Sequence, residues 1–357
     1  MTNADRYGRN ELIDILKAIA IILVVFAHCM VNGSGQAVLS GGSYFDDPVF
    51  KFITSFNMPL FMLISGFLFA FSVKRHPPFQ VFGKKVKTLL VPLLSWAFVV
   101  VAILIVSRFV NERIILSLRE IVSSLVYHFF HGQWFLWAVF WSSVIVLLNR
   151  SLFNDSYFVY LAIFVLTFSL PDYHNLALYK FMYPYFVVGY LFNKVEYSKK
   201  ESFKTKIEGA LPIFISWLVF ILLLLVYDHD SYIYTSGYRV IRDSGFDAVQ
   251  LYVDLYRFTI GFAGSVAVIL TTIHLFPHFR EGLRKTLAYI GANSLGIYIL
   301  SNVIFNDHLL RTFSIRFTGI NYGVALLEAM AVIIVTLLVS YLIKKNQMMN
   351  LLFLGGR

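Results

Sequence analysis

The chain has 357 residues, of which 58% are hydrophobic and only 14% charged, and its mean hydropathy is +0.72. No single soluble core can hide that much apolar surface, so composition points to an all-α polytopic membrane protein. The net charge of +10 does not call for nucleic acid, because an uneven spread of basic residues across a membrane accounts for it.

Ten stretches are long enough, or nearly so, to cross a bilayer core of roughly 30 Å as helices: about 12–32, 49–73, 87–107, 134–149, 157–170, 177–193, 208–227, 249–275, 286–306 and 320–343. The fourth and fifth are short. The segment before the first stretch has mixed charge and no small-residue cleavage site, which predicts a retained span. No internal repeat or low-complexity tract interrupts the chain, and the longest loops run to about 26 residues. Residues 1–357 therefore read as one integral-membrane domain, with its chemistry carried by helices and short loops. The lone cysteine, Cys29, excludes an internal disulfide.

If the N-terminus is cytoplasmic, nineteen of the 30 Lys and Arg fall on the inside and seven outside. The inside set includes Lys74, Arg75, Lys84, Lys85 and Lys87 between the second and third spans, and Lys194, Lys199 and Lys200 after the sixth. Short cytoplasmic loops are rich in Lys and Arg, so both termini are predicted to be cytoplasmic.

The first span, "LIDILKAIAIILVVFAHCM" at 12–30, holds three ionisable groups: Asp14, Lys17 and His28. Lys17 and His28 are eleven residues apart, which on a helix places them about 16 Å apart along the axis and within about 20° of one face. They are predicted to look into one cavity, Lys17 near the cytoplasmic end and His28 beneath an outer loop. Asp14, three residues before Lys17, can neutralise it. Ionisable groups inside a span are costly enough that function is the default reading, although Lys17 can also snorkel and a lone His can serve packing. Trp134 and Trp137, at an outer boundary, fit an aromatic belt or a sugar-stacking platform. Arg257 and Glu328, each about eight residues from the outer end of its span, are expected to form a buried ion pair at the cavity wall. Cys29 points about 100° away from His28 and is not expected to accept an acyl group.

At these residues the chain resembles the integral-membrane acyltransferases of the acyltransferase-3 type, among them fucose 4-O-acetylase-like enzymes. The family carries an Arg or Lys, ten residues, then a His in its first span, which here is Lys17 to His28. "FNMPLFMLISGFLF" (56–69), "KKVKTLLVPLLSW" (84–96), "QWFLWAVFW" (133–141) and "YIGANSLGIYIL" (289–300) are similar to four further family stretches, in the right order and over about 300 residues. The chain departs from the family at Ser301 and Asn302 and at Asn57, where relatives often carry a His. That leaves His28 as the single candidate base.

The resemblance implies transfer of an acyl group, usually acetyl, from cytoplasmic acyl-CoA to a sugar hydroxyl of a cell-surface polysaccharide or its lipid-linked precursor, in a bacterial inner membrane. The chemistry of the residues agrees. An imidazole suits removal of a hydroxyl proton during attack on a thioester. Arg75, Lys84, Lys85 and Lys87 suit the donor's phosphates, although the positive-inside rule also explains them. Trp134, Arg257 and Glu328 are the substrate-side candidates, and no metal is called for. A glycan or lipid transporter is the rival reading, but the inverted repeats and matched broken helices of transporters are missing from the sequence.

Overall fold

The computed structural model describes residues 11–33, 47–169, 176–196, 209–227, 231, 240–242, 245–306 and 322–356. It is built from α-helices. Beside them, Ile241–Arg242 and Gly245–Phe246 form a short antiparallel ladder, β1 and β2.

Helix α1 covers Glu11–His28 and α2 covers Pro48–Arg75. A 35-residue helical rod over Pro78–Glu112 comprises α3 (Pro78–Lys85) and α4 (Val91–Ser107), joined and followed by wider π turns. Then come α5 (Leu118–His131), α6 (Trp134–Phe153), α7 (Tyr157–Thr167), α8 (Leu176–Glu196) and α9 (Ala210–Leu224). The chain continues through α10 (Ala248–Leu275), α11 (Glu281–Ala292), α12 (Ser294–Asn306), α13 (Tyr322–Lys344) and α14 (Gln347–Leu354).

Each of the ten apolar stretches carries helix. Among the described residues, six helical segments are long and apolar enough to cross a bilayer by themselves, and three shorter apolar helices accompany them. The predicted span 286–306 is not one helix. It breaks at Asn293, whose side-chain amide turns back to the Tyr289 carbonyl at 2.8 Å, so α11 and α12 are separate. Three further helices occupy segments read as loop and tail: α3, α5 and α14. Helix α14 is docked by the Trp96 indole, which donates to the Phe353 carbonyl at 2.9 Å.

The centre of the bundle is where α1 meets α11 and α2 meets α8. Glycines allow both approaches: a β carbon on Gly291 of α11 would lie 1.7 Å from the Asp14 carbonyl oxygen of α1, while at the α2–α8 crossing one on Gly66 would lie 1.9 Å from the Phe186 carbonyl oxygen and one on Gly189 would lie 2.0 Å from that of Leu63. Small residues at such crossings let helices pack where no hydrophobic drive exists between them in lipid. Outward faces are apolar instead of charged. Leu326, Leu327, Ile334 and Leu338 on α13 and Leu211, Phe214 and Leu222 on α9 are exposed, as a lipid-facing surface requires. Aspartate caps start two helices: Asp47 accepts from Phe50 N at 2.8 Å at the head of α2, and Asp247 accepts from Gln250 N at 2.9 Å at the head of α10.

Candidate active site

A cavity of about 450 Å³ lies at the end of the bundle where α1, α5 and α12 finish and α2, α6, α8 and α10 begin. His28 is on its wall, together with Val24 and Ala27 from the last turns of α1. Directly after His28 the backbone widens into a π turn over Cys29–Gly33. Such turns recur at functional sites because they rotate the next residues relative to a regular helix. Asn57 and Met58 of α2 face His28's cavity just before Pro59, which also lines it and interrupts the hydrogen-bond ladder inside that helix. Tyr298 and Asn302 of α12 complete another side.

Lys17 does not share this space. It lies on the face predicted for it, but Ile21 and Val24, 0% and 4% exposed, fill the two turns between it and His28. Its ammonium sits 2.8 Å from the Asp14 carboxylate. The neighbouring backbone is pressed against α11, since a β carbon on Gly291 would stand 1.7 Å from the Asp14 carbonyl oxygen.

His28 is not the only histidine at the cavity. His131, the last residue of α5, lines it with Tyr127, which stacks on the His131 ring at 4.6 Å. His131 Nδ1 is 3.0 Å from the Tyr127 carbonyl oxygen. A carbonyl can only accept, so Nδ1 is the donor in this contact. Asn302 fixes the turn after α5: its Nδ2 donates to the Gly132 carbonyl at 2.7 Å and to Gln133 Oε1 at 3.3 Å. Thus the position where the family resemblance leads one to look for a histidine carries an amide that braces one supplied by another helix. The signal for α5 was present in the sequence as Ser117-x-x-Glu120, and the capping box forms with both bonds made. The charges of Glu112, Arg113, Arg119 and Glu120 exclude the segment from the predicted spans.

The sequence profile of one protein family, described as an acyltransferase domain, matches residues 10–345, from the head of α1 to the end of α13. The chain belongs to this acyltransferase family. Two similar proteins are both named nodulation protein NolL. That of Sinorhizobium fredii (strain NBRC 101917 / NGR234) is 28% identical over 312 residues, which is 85% of this chain and 80% of the relative. That of Mesorhizobium japonicum (strain LMG 29417 / CECT 9101 / MAFF 303099) is 27% identical over 188 residues, 52% of this chain and 48% of the relative. No solved structure matches the chain.

In this acyltransferase the remaining candidate residues divide between the two ends of the bundle. Trp134, at the head of α6, lines the cavity, whereas Trp137 is buried and donates to the Phe129 carbonyl at 2.9 Å, tying α6 to α5. Arg257 of α10 lines the cavity at 6% exposure. The carboxylate beside it is Asp254, 4.0 Å away and one turn earlier, and not Glu328 as expected from sequence. Asp254 also accepts from Lys180 Nζ at 3.0 Å and from Gln250 Nε2 at 2.9 Å, while Arg257 Nε donates to the Ser231 carbonyl at 2.8 Å. Helix rotation explains the difference. Around Arg257, α10 is tied to α8 through Lys180–Asp254 and the Tyr185 hydroxyl on the Arg257 carbonyl, and to the segment around Ser231, while Glu328 stands on α13 near Cys29 and does not line the cavity.

The basic loop is at the other end. Arg75, Lys84 and Lys87 are exposed there, and Lys85 is half-buried with its ammonium 4.8 Å from the Phe69 ring centre. From Asn57 to Arg75 along α2 is about 27 Å at the helical rise, so the loop and the cavity face opposite ends.

Proposed function

We propose that this acyltransferase moves an acyl group, acetyl by this reading, from cytoplasmic acyl-CoA to a sugar hydroxyl presented on the outer side. The acceptor is a cell-surface polysaccharide or its lipid-linked precursor, and the enzyme sits in a bacterial inner membrane with both termini cytoplasmic. The family and the bacterial sources of the two NolL proteins support acyl transfer in a bacterial setting. The spread of Lys and Arg supports the orientation.

The observation that carries the reading is the position of His28 on a polar-rimmed cavity at the end opposite the basic loop. In the proposed step His28 removes the acceptor hydroxyl proton as the oxygen attacks the thioester carbonyl. The carbon–sulfur bond breaks, and the imidazolium returns the proton to the departing CoA thiolate, leaving an ester and free CoA. Trp134 and Arg257 contact the acceptor in this scheme, and Lys17, paired with Asp14 and set apart from the cavity by Ile21 and Val24, supplies positive charge at the donor-side end of α1. Arg75, Lys84, Lys85 and Lys87 hold the donor's phosphates.

Labelled acetyl-CoA supplied to inside-out vesicles tests this. Label enters glycan with the wild-type protein and falls by about 10²–10⁴-fold in His28→Gln, which keeps hydrogen bonding without offering a comparable base. Near-normal turnover in His28→Gln would make His28 a packing residue and remove the mechanism. Appearance of unacylated glycan across the membrane, with no transfer of label, would favour a transporter.

A further inference from the structure

At the end of the bundle opposite the His28 cavity, two helix termini place cations on one buried carboxylate. Asp155, just past the end of α6, has 4% of its side chain exposed. Its Oδ2 is 3.3 Å from Arg150 Nη1 of α6 and 3.3 Å from Lys194 Nζ of α8. The hydroxyls of Tyr160 and Tyr190 also donate to it, at 2.9 Å and 3.0 Å. The turn that presents Asp155 is in the left-handed region, with φ of 56° at Asn154 and 63° at Asp155. The Asn149 side chain holds this turn by donating to the Ser156 carbonyl at 3.0 Å. Beside the pair, Lys74 at the end of α2 donates to the neutral Asn193 Oδ1 at 2.9 Å.

Among the described residues two cations, Arg150 and Lys194, thus meet one carboxylate. A single carboxylate compensates one of them, so excess positive charge is fixed at this spot by buried groups and not spread over a flexible loop. Arg150 and Lys194 each keep 40% of their side chains exposed, so the charge is presented outward. Around them, Leu152, Phe158 and Phe192 project exposed apolar side chains from α6, α7 and α8. A fixed cation pair at the end of membrane helices, rimmed by lipid-facing apolar groups, is built to hold a phosphodiester whose acyl chains lie along those helices.

We propose that Arg150 and Lys194, oriented by Asp155, bind the phosphate of an anionic phospholipid in the leaflet opposite the His28 cavity. The apolar rim favours a lipid phosphate over that of the soluble donor, which has no acyl tail to lay against Leu152 and Phe158. The proposal is separate from the reading of the cavity, because it rests on residues that the proposed mechanism does not use.

Full-length protein in nanodiscs of phosphatidylcholine, with and without phosphatidylglycerol, provides the test. Native mass spectrometry of the wild type is expected to retain phosphatidylglycerol in preference to phosphatidylcholine. Because each juxtamembrane cation contributes about a fivefold factor, Arg150→Gln/Lys194→Gln should weaken that retention roughly 25-fold. The exchange Arg150→Lys/Lys194→Arg, which preserves charge and guards against simple misfolding, should keep it. The thermal midpoint should rise with phosphatidylglycerol in the wild type and in the charge-preserving variant, but not in the double Gln variant. Equal retention of phosphatidylglycerol in wild type and double Gln variant overturns the proposal. So does a rise in the KM for acyl-CoA in that variant without loss of lipid retention, which would assign the pair to the donor.

Discussion

The Lys17 ammonium lies 2.8 Å from the Asp14 carboxylate on α1, with 17% and 7% of the two side chains exposed. Breaking so buried a pair takes this compensation from the remaining charge, at a cost of about 3–5 kcal/mol. Lys17→Ala is therefore expected to lower the thermal midpoint and the activity together, while Lys17→Arg keeps much of both. The double variant Asp14→Asn/Lys17→Met removes both charges and should recover stability but not turnover. If the double variant also recovers turnover, the charge of Lys17 serves the fold alone.

The basic loop makes a prediction about the donor. Lys84 and Lys87 are exposed, whereas Lys85 rests over Phe69, so Lys84→Gln/Lys87→Gln removes charge without disturbing packing. The KM for acyl-CoA should rise roughly tenfold or more while the KM for the acceptor stays near its wild-type value, because only binding made before the chemical step is lost. An unchanged donor KM returns these lysines to a role in membrane orientation.

Asn302 and His131 offer a test of the cavity's second wall. Asn302→Ala deletes the donors to Gly132 and Gln133 and should cost about 1–3 kcal/mol. The freed turn should also lower kcat, since a shift of about 1 Å in a positioned group can cost on the order of 10²-fold. His131→Gln should lower kcat with little change in thermal midpoint, because the ring is only half-buried. Wild-type kcat in His131→Gln would make the second imidazole a packing residue.

Orientation is open to labelling in a Cys29→Ser background. Ser43 and Ser198, the positions suggested by sequence for this purpose, lie outside the described residues. Two described positions serve instead: Asn111, past the end of α4, and His76, at the end of α2, both exposed. A cysteine at 111 is expected to react with an impermeant maleimide from outside the cell, and one at 76 only after permeabilisation. The opposite pattern would reverse the donor and acceptor sides.

The α2–α8 crossing should tolerate no side chain. Gly189→Val places a branched group where even a β carbon would lie 2.0 Å from the Leu63 carbonyl oxygen. The backbone cannot yield as a flexible side chain can, so destabilisation of about 3 kcal/mol or more is expected, read as a lowered midpoint in detergent. A wild-type midpoint would mean that the two helices can separate freely.

The sequence by itself determined the membrane solvent, the ten helical stretches, the shared face of Lys17 and His28, and the order of motifs that marks the family. These are properties of one helix at a time, set by apolar length and by the 3.6-residue period. The tertiary structure decided which faces meet. It separated Lys17 from the cavity with Ile21 and Val24, gave Arg257 the carboxylate of Asp254 in place of Glu328, and set His131 with His28 around one space. Each of these depends on how one helix is rotated and how closely it approaches the next, and at Gly66, Gly189 and Gly291 that approach is limited by backbone atoms of a helix distant in sequence. A period read along one helix fixes the angle between its own side chains; it carries no information about the rotation of its neighbour, which only the packed bundle supplies.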